Sequence, residues 1–573
     1  MYSFSELKKN IKLDTSAFNK INVAILGDSS TQFITIALKG LAYHYKLQMN
    51  IFEADYNQIS QQVFNSSSEL YAFKPQIIIL FNAAEKLLYK FNKLDESGKD
   101  NLANIHLDHV AELNDTLTAR SACKIIYFNL CEINNSLFGS YSNKVASSFI
   151  YQVRKINYGL MQLAEKNNNL FICDISSLQN QHGRNYSFSP SVYLNTDAVF
   201  SLDFVPLVAK ATMDIIACLQ GKLVKCVILD LDNTLWGGVI GDDGMENIQI
   251  GNLGLGKAFT EFQYWLKALK QRGILLAVCS KNTESVAKQP FLEHPDMVLK
   301  LDDLAIFVAN WETKVDNIKF IQSILNIGFD SMVFLDDNPF ERNMVKQYIP
   351  DVIVPELPED PAAYLEYLCS LNLFETVSIS KEDSCRTDKY REEAGRMGAQ
   401  KSFADESEFL ASLEMRSDVQ LFNKFNLPRV AQLIQRSNQF NLRTIRYSEA
   451  ELEKMISDDQ YFTFAFTLED KYGDSGLIAV ALLKKEDDET LFIDTWLMSC
   501  RVLKRGMEYF VLRTLVEKAK AEGFKMLKGQ YLPTAKNAMV KDHYQSMGFQ
   551  EQDEYWLLAV NGFNTPEIFI THE

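Results

Sequence analysis

Asp230 and Asp232 are two carboxylates separated by one leucine, directly after the apolar run Val224-Lys225-Cys226-Val227-Ile228-Leu229. A short β-branched run of this kind reads as a buried strand. Acids just past a strand's carboxyl end are free to point into one crevice, and open α/β sheets hold their ligands at such ends. One of the pair can attack a phosphorus atom while the other moves protons, provided a cation offsets their repulsion. Alone, the pair reads equally well as a solvated strand end.

Three later stretches bear on that choice. Ser280 closes the run Ile274-Leu275-Leu276-Ala277-Val278-Cys279. A hydroxyl there can hold a phosphate oxygen beside backbone amides, or simply cap the next helix. Lys314 opens an amphipathic stretch in Trp311-Glu312-Thr313-Lys314-Val315-Asp316-Asn317-Ile318. Such lysines usually reach for solvent, but a crevice lined with acids needs a fixed cation. Asp336 and Asp337 follow Ser331-Met332-Val333-Phe334-Leu335. Adjacent acids at a third strand end can complete a magnesium shell of carboxylate oxygens and waters, or one of them can orient Lys314.

In this order the four stretches resemble the motifs of the haloacid dehalogenase (HAD) superfamily of phosphotransferases. The resemblance implies Asp230 as nucleophile, Asp232 as acid/base, Ser280 as phosphate-binding hydroxyl and Lys314 as the fixed lysine. Magnesium would be held by Asp230, Asp232, Asp336 and Asp337. The glycine-rich Trp236-Gly237-Gly238-Val239-Ile240-Gly241-Asp242-Asp243-Gly244 is expected to form a β-hairpin flap over the crevice. About forty residues separate the first two motifs and about thirty the second from the third, too few for a full cap domain.

At 573 residues the chain calls for roughly three domains. Its hydrophobic content of 47% and charged content of 23% are those of a globular protein. A net charge of -16 excludes general nucleic-acid affinity but leaves room for a local basic pocket. No apolar run is long enough to cross a bilayer, and the start of the chain lacks a signal peptide's apolar core. Nine scattered cysteines without a Cys-x-x-Cys pair fit reduced thiols and a cytoplasmic location. Seven histidines without ligand spacing argue against zinc.

The domains are expected at 1–220, 221–374 and 403–573, with a charged linker over 375–402 that contains a solvated helix. In the first, runs at Asn22–Leu26, Gln76–Phe81 and Cys123–Phe128 alternate with helical stretches, which predicts a parallel sheet of the flavodoxin or SGNH type. The turn Gly27-Asp28-Ser29-Ser30 resembles the opening block of SGNH hydrolases. That resemblance would make Ser29 the nucleophile and Asn82 an oxyanion-hole mimic. The Asp-x-x-His that supplies the family's base is missing from Leu194–Phe200, so a degenerate domain used for binding is expected.

The last region has strand-like runs at Tyr461–Phe466, Gly476–Leu483, Leu491–Met498 and Met526–Tyr531. Helices are expected through Ala521 and over Ala535–Met547. This order resembles the GNAT acyltransferase fold, whose loop and helix start cradle an acyl-pantetheine carrier. The resemblance assigns that loop to Arg501, Lys504, Arg505 and Gly506 and places Tyr544 where such enzymes keep a thiolate-protonating tyrosine. The usual Gly-x-Gly or Gly-x-Ala ending is absent, which puts coenzyme A in doubt and leaves a phosphopantetheine arm. Tyr544 reads equally as a core aromatic on an amphipathic helix.

Taken together, the order of the three regions, Asp-Leu-Asp-Asn-Thr-Leu-Trp-Gly-Gly-Val and Phe-Leu-Asp-Asp-Asn-Pro-Phe-Glu-Arg closely resemble the FkbH-like proteins. That family implies glyceryl transfer: 1,3-bisphosphoglycerate loses phosphate and its glyceryl group reaches an acyl carrier protein as a thioester. Cys279, beside Ser280, and Cys500, beside the third-domain loop, are the candidate acyl-carrying thiols. Each reads equally as a small buried apolar residue. A simple phosphatase for a small phosphometabolite or sugar phosphate is the rival enzyme, and a non-catalytic binding or assembly protein is the remaining class.

Overall fold

The structure is a computed structural model that describes residues 2–379, 387, 405–499, 502–534, 536–564 and 566–572. It divides into two compact units, Met1–Gln220 and Gly221–Glu573, described here in turn.

The first unit is built on five parallel strands: β1 (Asn19–Gly27), β2 (Leu47–Glu53), β3 (Ile77–Phe81), β4 (Lys124–Phe128) and β5 (Leu170–Cys173). Their order, β2-β1-β3-β4-β5, is the doubly wound arrangement of flavodoxin-type sheets. β3 is buried along its whole length, so its apolar run was legible. The edge strand β2 alternates Gln, Asn and Glu with apolar residues and is mostly half-exposed, which hid it from the sequence reading. The reversal of strand order between β1 and β3 brings the ends of both strands, with Asp28 and Asn82, to one place.

The second unit holds two sheets. The first has the order β8-β7-β6-β9, all parallel, from β6 (Cys226–Leu229), β7 (Leu275–Ser280), β8 (Ile306–Ala309) and β9 (Met332–Leu335). Both faces are covered. Val227 and Leu229 join Leu276 and Val278 in one core, and Cys226 and Ile228 join Leu275, Ala277 and Cys279 in the other. This two-sided burial is why the strands read as continuous apolar runs. The helices Gly254–Gln271, Glu284–Glu293 and Lys314–Leu325 link the strands without an inserted cap domain.

The expected hairpin flap does not form. Gly237 makes only an isolated bridge to Gln249, and Ile240–Asp243 is a single helical turn. Asp232 and Asp243 accept backbone N–H groups of that stretch, Ile240 at 3.0 Å and Val239 at 2.7 Å, and so turn it inward.

The remaining sheet contains β10 (Met415–Ser417), β11 (Val419–Gln420), β12 (Tyr461–Asp470), β13 (Gly473–Lys485), β14 (Thr490–Met498), β15 (Met526–Gly529), β16 (Gln550–Gln552), β17 (Tyr555–Ala559) and β18 (Ile570–His572). β12, β13 and β14 form an antiparallel meander, and the helix Met507–Ala521 carries the chain to β15. β15 runs parallel to β14 over Thr490–Phe492 only. Beyond that point the freed edge of β14 is taken by the chain itself. Leu442 N–H donates to Trp496 O at 3.2 Å and Met498 N–H to Phe440 O at 3.1 Å, while Leu532 N–H donates to Leu442 O at 2.9 Å. The helix expected over Ala535–Met547 reduces to two short turns, Ala538–Val540 and His543–Ser546. Most of the expected linker over 375–402, with its solvated helix, lies outside the described residues.

Candidate active site

Asp230 and Asp232 lie directly beyond β6, Ser280 ends β7, and Asp336 and Asp337 lie directly beyond β9. The parallel register sets Leu229 opposite both Val278 and Leu335, so β6 and β9 end level and β7 runs two residues further, to Ser280. Lys314 comes from the first residue of the helix after β8. Thr313 caps that helix through the Asp316 amide, which fixes where Lys314 starts.

Lys314 Nζ lies 2.9 Å from Asp230 Oδ1 and makes a close ion pair with Asp336 Oδ2. Asp336 Oδ1 accepts the Asn338 N–H at 2.8 Å, so Asp336 is the acid that orients the lysine. Asp337 is less buried, and its amide donates to Thr234 Oγ1 at 3.2 Å. Oxygens of Asp230, Asp336 and Asp337 all lie within 4.8 Å of one another. Three carboxylates therefore face one contacting lysine, an excess of negative charge that a hard divalent cation would balance. Burial, opposed by Lys314 and reinforced by Asp336, pushes the Asp230 carboxyl up to about 6. Burial also raises Asp336 and Asp337. For Lys314 the loss of water acts downward, but Asp230 and Asp336 outweigh it and hold the ammonium above its ordinary range.

Asp232 does not join that cluster, contrary to its expected place among the metal ligands. Its Oδ1 accepts Trp236 Nε1–H and Ile240 N–H, each at 3.0 Å, and its Oδ2 accepts Asn282 Nδ2–H at 2.8 Å. Ser280 is buried, and its Oγ accepts from the same Asn282 nitrogen at 3.2 Å. The sequence reading passed over several supporting residues. Arg342 donates to the carbonyl oxygens of Asp336 at 2.8 Å and Asp337 at 2.6 Å, and Lys281 pairs with Glu341 at 2.6 Å. Arg342 and Glu341 sit one turn into the helix after Asp336-Asp337, spaced to reach back over it, which is the signal that was available. Asn233 takes a left-handed φ of +53° and accepts the Gly238 N–H at 2.9 Å, a conformation that asparagine tolerates.

Cys279 is not an available thiol. Strand alternation turns it away from Ser280 into the core beside Val315 and Ile318, where it is fully buried, and burial pushes its pKa far up. Cys500 and Arg501 lie outside the described residues. Arg505 is buried against Asp470, with NH1 at 3.3 Å from Oδ2, so its charge is already engaged. Gly506 takes a φ of +80° ahead of the helix Met507–Ala521. Glu508 accepts the Lys504 N–H at 3.1 Å, which puts the protein's own carboxylate at the loop expected to cradle an acyl-pantetheine carrier. Tyr544 is buried among Trp496, Phe549 and Trp556, and its ring meets Gly529, where an added Cβ would lie 2.3 Å from Cζ. That is the position of a core aromatic.

In the first unit, Ser29 is fully buried and its Oγ has no hydrogen-bond partner among the described residues. Asn82 is engaged with its own neighbours at both ends of the amide. Its Nδ2–H donates to Asp28 Oδ2 at 3.1 Å and its Oδ1 accepts the Tyr127 hydroxyl at 2.8 Å. His106 Nε2 lies 2.9 Å from that hydroxyl, and burial lowers its pKa to about 4. A polar chain thus runs from Asp28 to His106 without touching Ser29.

The comparisons with known proteins agree with this geometry. The FkbH N-terminal domain family matches residues 22–217. The crystal structure of the N-terminal part of BF1531 from Bacteroides fragilis, described as containing a phosphatase domain complexed with Mg, is 53% identical with a TM-score of 0.64. It covers 66% of this chain and 100% of its own. The ribosomal-protein-S18-alanine N-acetyltransferase of Escherichia coli is 16% identical over 26% of this chain and 96% of its own, with a TM-score of 0.21. A comparison with curated proteins finds no match. Parallel sheets with a carboxylate and lysine cluster at level strand ends define a multidomain α/β protein with a HAD-like phosphatase domain. More particularly, the chain belongs to the FkbH family. Among the described residues no helix is long and apolar enough to cross a membrane.

Proposed function

We propose that the protein is a magnesium-dependent phosphoryl-removing enzyme of the FkbH type that acts on a phosphorylated small molecule. The observation that carries this reading is the convergence of Asp230, Asp336 and Asp337 around Lys314 at the ends of the adjacent strands β6 and β9, with Ser280 at the end of β7 on the other side of β6. Asp230, Asp337 and, beside the lysine, Asp336 would hold the cation, which when bound supplies positive charge against the phosphoryl oxygens. The magnesium in the Bacteroides fragilis relative supports that choice of ion.

The chain's own residues then divide the work. Asp230 attacks phosphorus as the bond to the leaving oxygen breaks, giving an aspartyl phosphate. Asp232 gives its proton to the leaving oxygen, then takes one from the water that attacks the aspartyl phosphate, releasing phosphate and restoring Asp230. Ser280 and Lys314 hold the phosphoryl oxygens in line, and Asp336 keeps Lys314 aimed.

The finer reading is that phosphate removal from an acyl phosphate such as 1,3-bisphosphoglycerate is coupled to glyceryl transfer onto the phosphopantetheine or coenzyme A thiol of an acceptor, with an acyl carrier protein as partner. Family membership supports it. A simple phosphatase is favoured by other observations: Cys279 is buried, and the third-domain loop already pairs Arg505 with Asp470 and Lys504 N–H with Glu508. Intact-mass spectrometry separates the two. Incubation with 1,3-bisphosphoglycerate, magnesium and an acyl carrier protein should add a glyceryl mass to the enzyme or the carrier while phosphate is released. Phosphate without any adduct selects the simple phosphatase, and no phosphate from any phosphomonoester or acyl phosphate rejects both.

A further inference from the structure

Asn282 is 4% exposed and sits two residues beyond Ser280, in a stretch the phosphoryl-transfer motifs do not use. Its Nδ2 carries two hydrogens, and the structure accounts for both: one goes to Asp232 Oδ2 at 2.8 Å and one to Ser280 Oγ at 3.2 Å. The side-chain amide is therefore a bridge between the strand end that would bind phosphate and the acid/base beyond the neighbouring strand.

Two consequences follow from donor and acceptor counting. A serine hydroxyl has one hydrogen to give. Because Ser280 Oγ accepts from Asn282, its own hydrogen stays free for a phosphoryl oxygen. Asp232 has Oδ1 engaged by Trp236 and Ile240. Without Asn282, Oδ2 would lose its hydrogen bond and the carboxyl could pivot about the Oδ1 contacts.

We propose that Asn282 is a positioning residue that holds the Asp232 carboxyl in register with a phosphoryl group seated at Ser280, so that proton delivery to the leaving oxygen is aimed only when both ends are in place. This rests on the phosphoryl-transfer reading of the site. It touches neither the phosphorus nor the cation and acts through Asp232.

The measurement is leaving-group dependence. An alkyl phosphate such as β-glycerol phosphate departs as a poor leaving group and needs its oxygen protonated. Para-nitrophenyl phosphate departs as a stable phenolate and does not. Positioned proton transfer contributes roughly 10²–10⁴-fold, so Asn282→Ala should lower kcat/KM, which reports the half-reaction up to leaving-group departure, by about 10- to 100-fold for the alkyl ester. For the aryl ester kcat/KM should stay within about threefold, because hydrolysis of the aspartyl phosphate, the step shared by both esters, does not enter kcat/KM. Asn282→Ser, which keeps a short donor, should recover part of the alkyl-ester rate and provides the same comparison if the alanine variant does not fold. Equal losses of kcat/KM on both esters would mean a structural role and overturn the proposal, as would no loss on either. If wild-type protein with magnesium releases phosphate from neither ester nor an acyl phosphate, the phosphoryl-transfer reading itself fails and Asn282 falls with it; activity on acyl phosphates alone, whose leaving carboxylate needs no proton, overturns the Asn282 proposal.

Discussion

Replacing Asp230 by asparagine should abolish phosphate release and yet, with magnesium chelated, raise the melting temperature. Burial, opposed by Lys314 and reinforced by Asp336, holds this carboxyl up to about 6 against an ordinary 3.8. A carboxyl raised in the folded state binds its proton more tightly there than in the unfolded chain, so ionising it opposes folding. The stability it contributes is present below about 3.8 and is lost as pH rises through about 6. At roughly 1.4 kcal/mol per unit the gap is bounded by about 3 kcal/mol. Sharing of charge with Asp336 and Lys314, and loss of the Lys314 contact in the variant, bring the expected gain to about 1–2 kcal/mol. That corresponds to a rise of about 2–6 °C. Thermal melts followed by circular dichroism in EDTA at pH 7.5 and pH 5 provide the assay. The variant should melt higher than wild type at pH 7.5, the difference should shrink at pH 5, and saturating magnesium should stabilise wild type more. A variant that melts at or below wild type in EDTA at pH 7.5 would refute the charge-excess reasoning.

Lys314→Met leaves Asp230 and Asp336 buried without their contacting cation, and urea unfolding should show a loss of about 3–5 kcal/mol. Cys279→Ala should cost about 1–2 kcal/mol through lost packing, and any glyceryl adduct seen by intact mass should survive, because the thiol lies in the core. Ser29→Ala should leave phosphate release unchanged and alter stability by less than about 1 kcal/mol, since the hydroxyl it removes has no hydrogen-bond partner. An esterase activity abolished by that substitution would contradict the degenerate reading of the first domain.

Much of the candidate site could be read from residue order. Asp230, Asp232, Ser280, Lys314, Asp336 and Asp337 each stand at the end of an apolar run or the start of a helix, and two-sided burial makes such runs conspicuous in a parallel sheet. The strands β2, β5 and β8 were missed because each is short or alternates with polar residues at an exposed edge. The glycine-dense stretch after Trp236 was read as a hairpin because turn chemistry is local. Its actual course is set by Asp232 and Asp243 accepting its backbone N–H groups.

Residue types and their order pointed to a phosphoryl site, and the resemblance of the motifs pointed to the family. The allocation of roles within the acids needed the tertiary structure. Asp232 and Asp336 are both acids at strand ends, but hydrogen bonds across more than twenty residues of chain tie one to Asn282 and the other to Lys314. The same holds for Cys279 and Ser280, which are neighbours in sequence. A strand sends adjacent side chains to opposite faces, and only the packed sheet shows which face is the core and which the site.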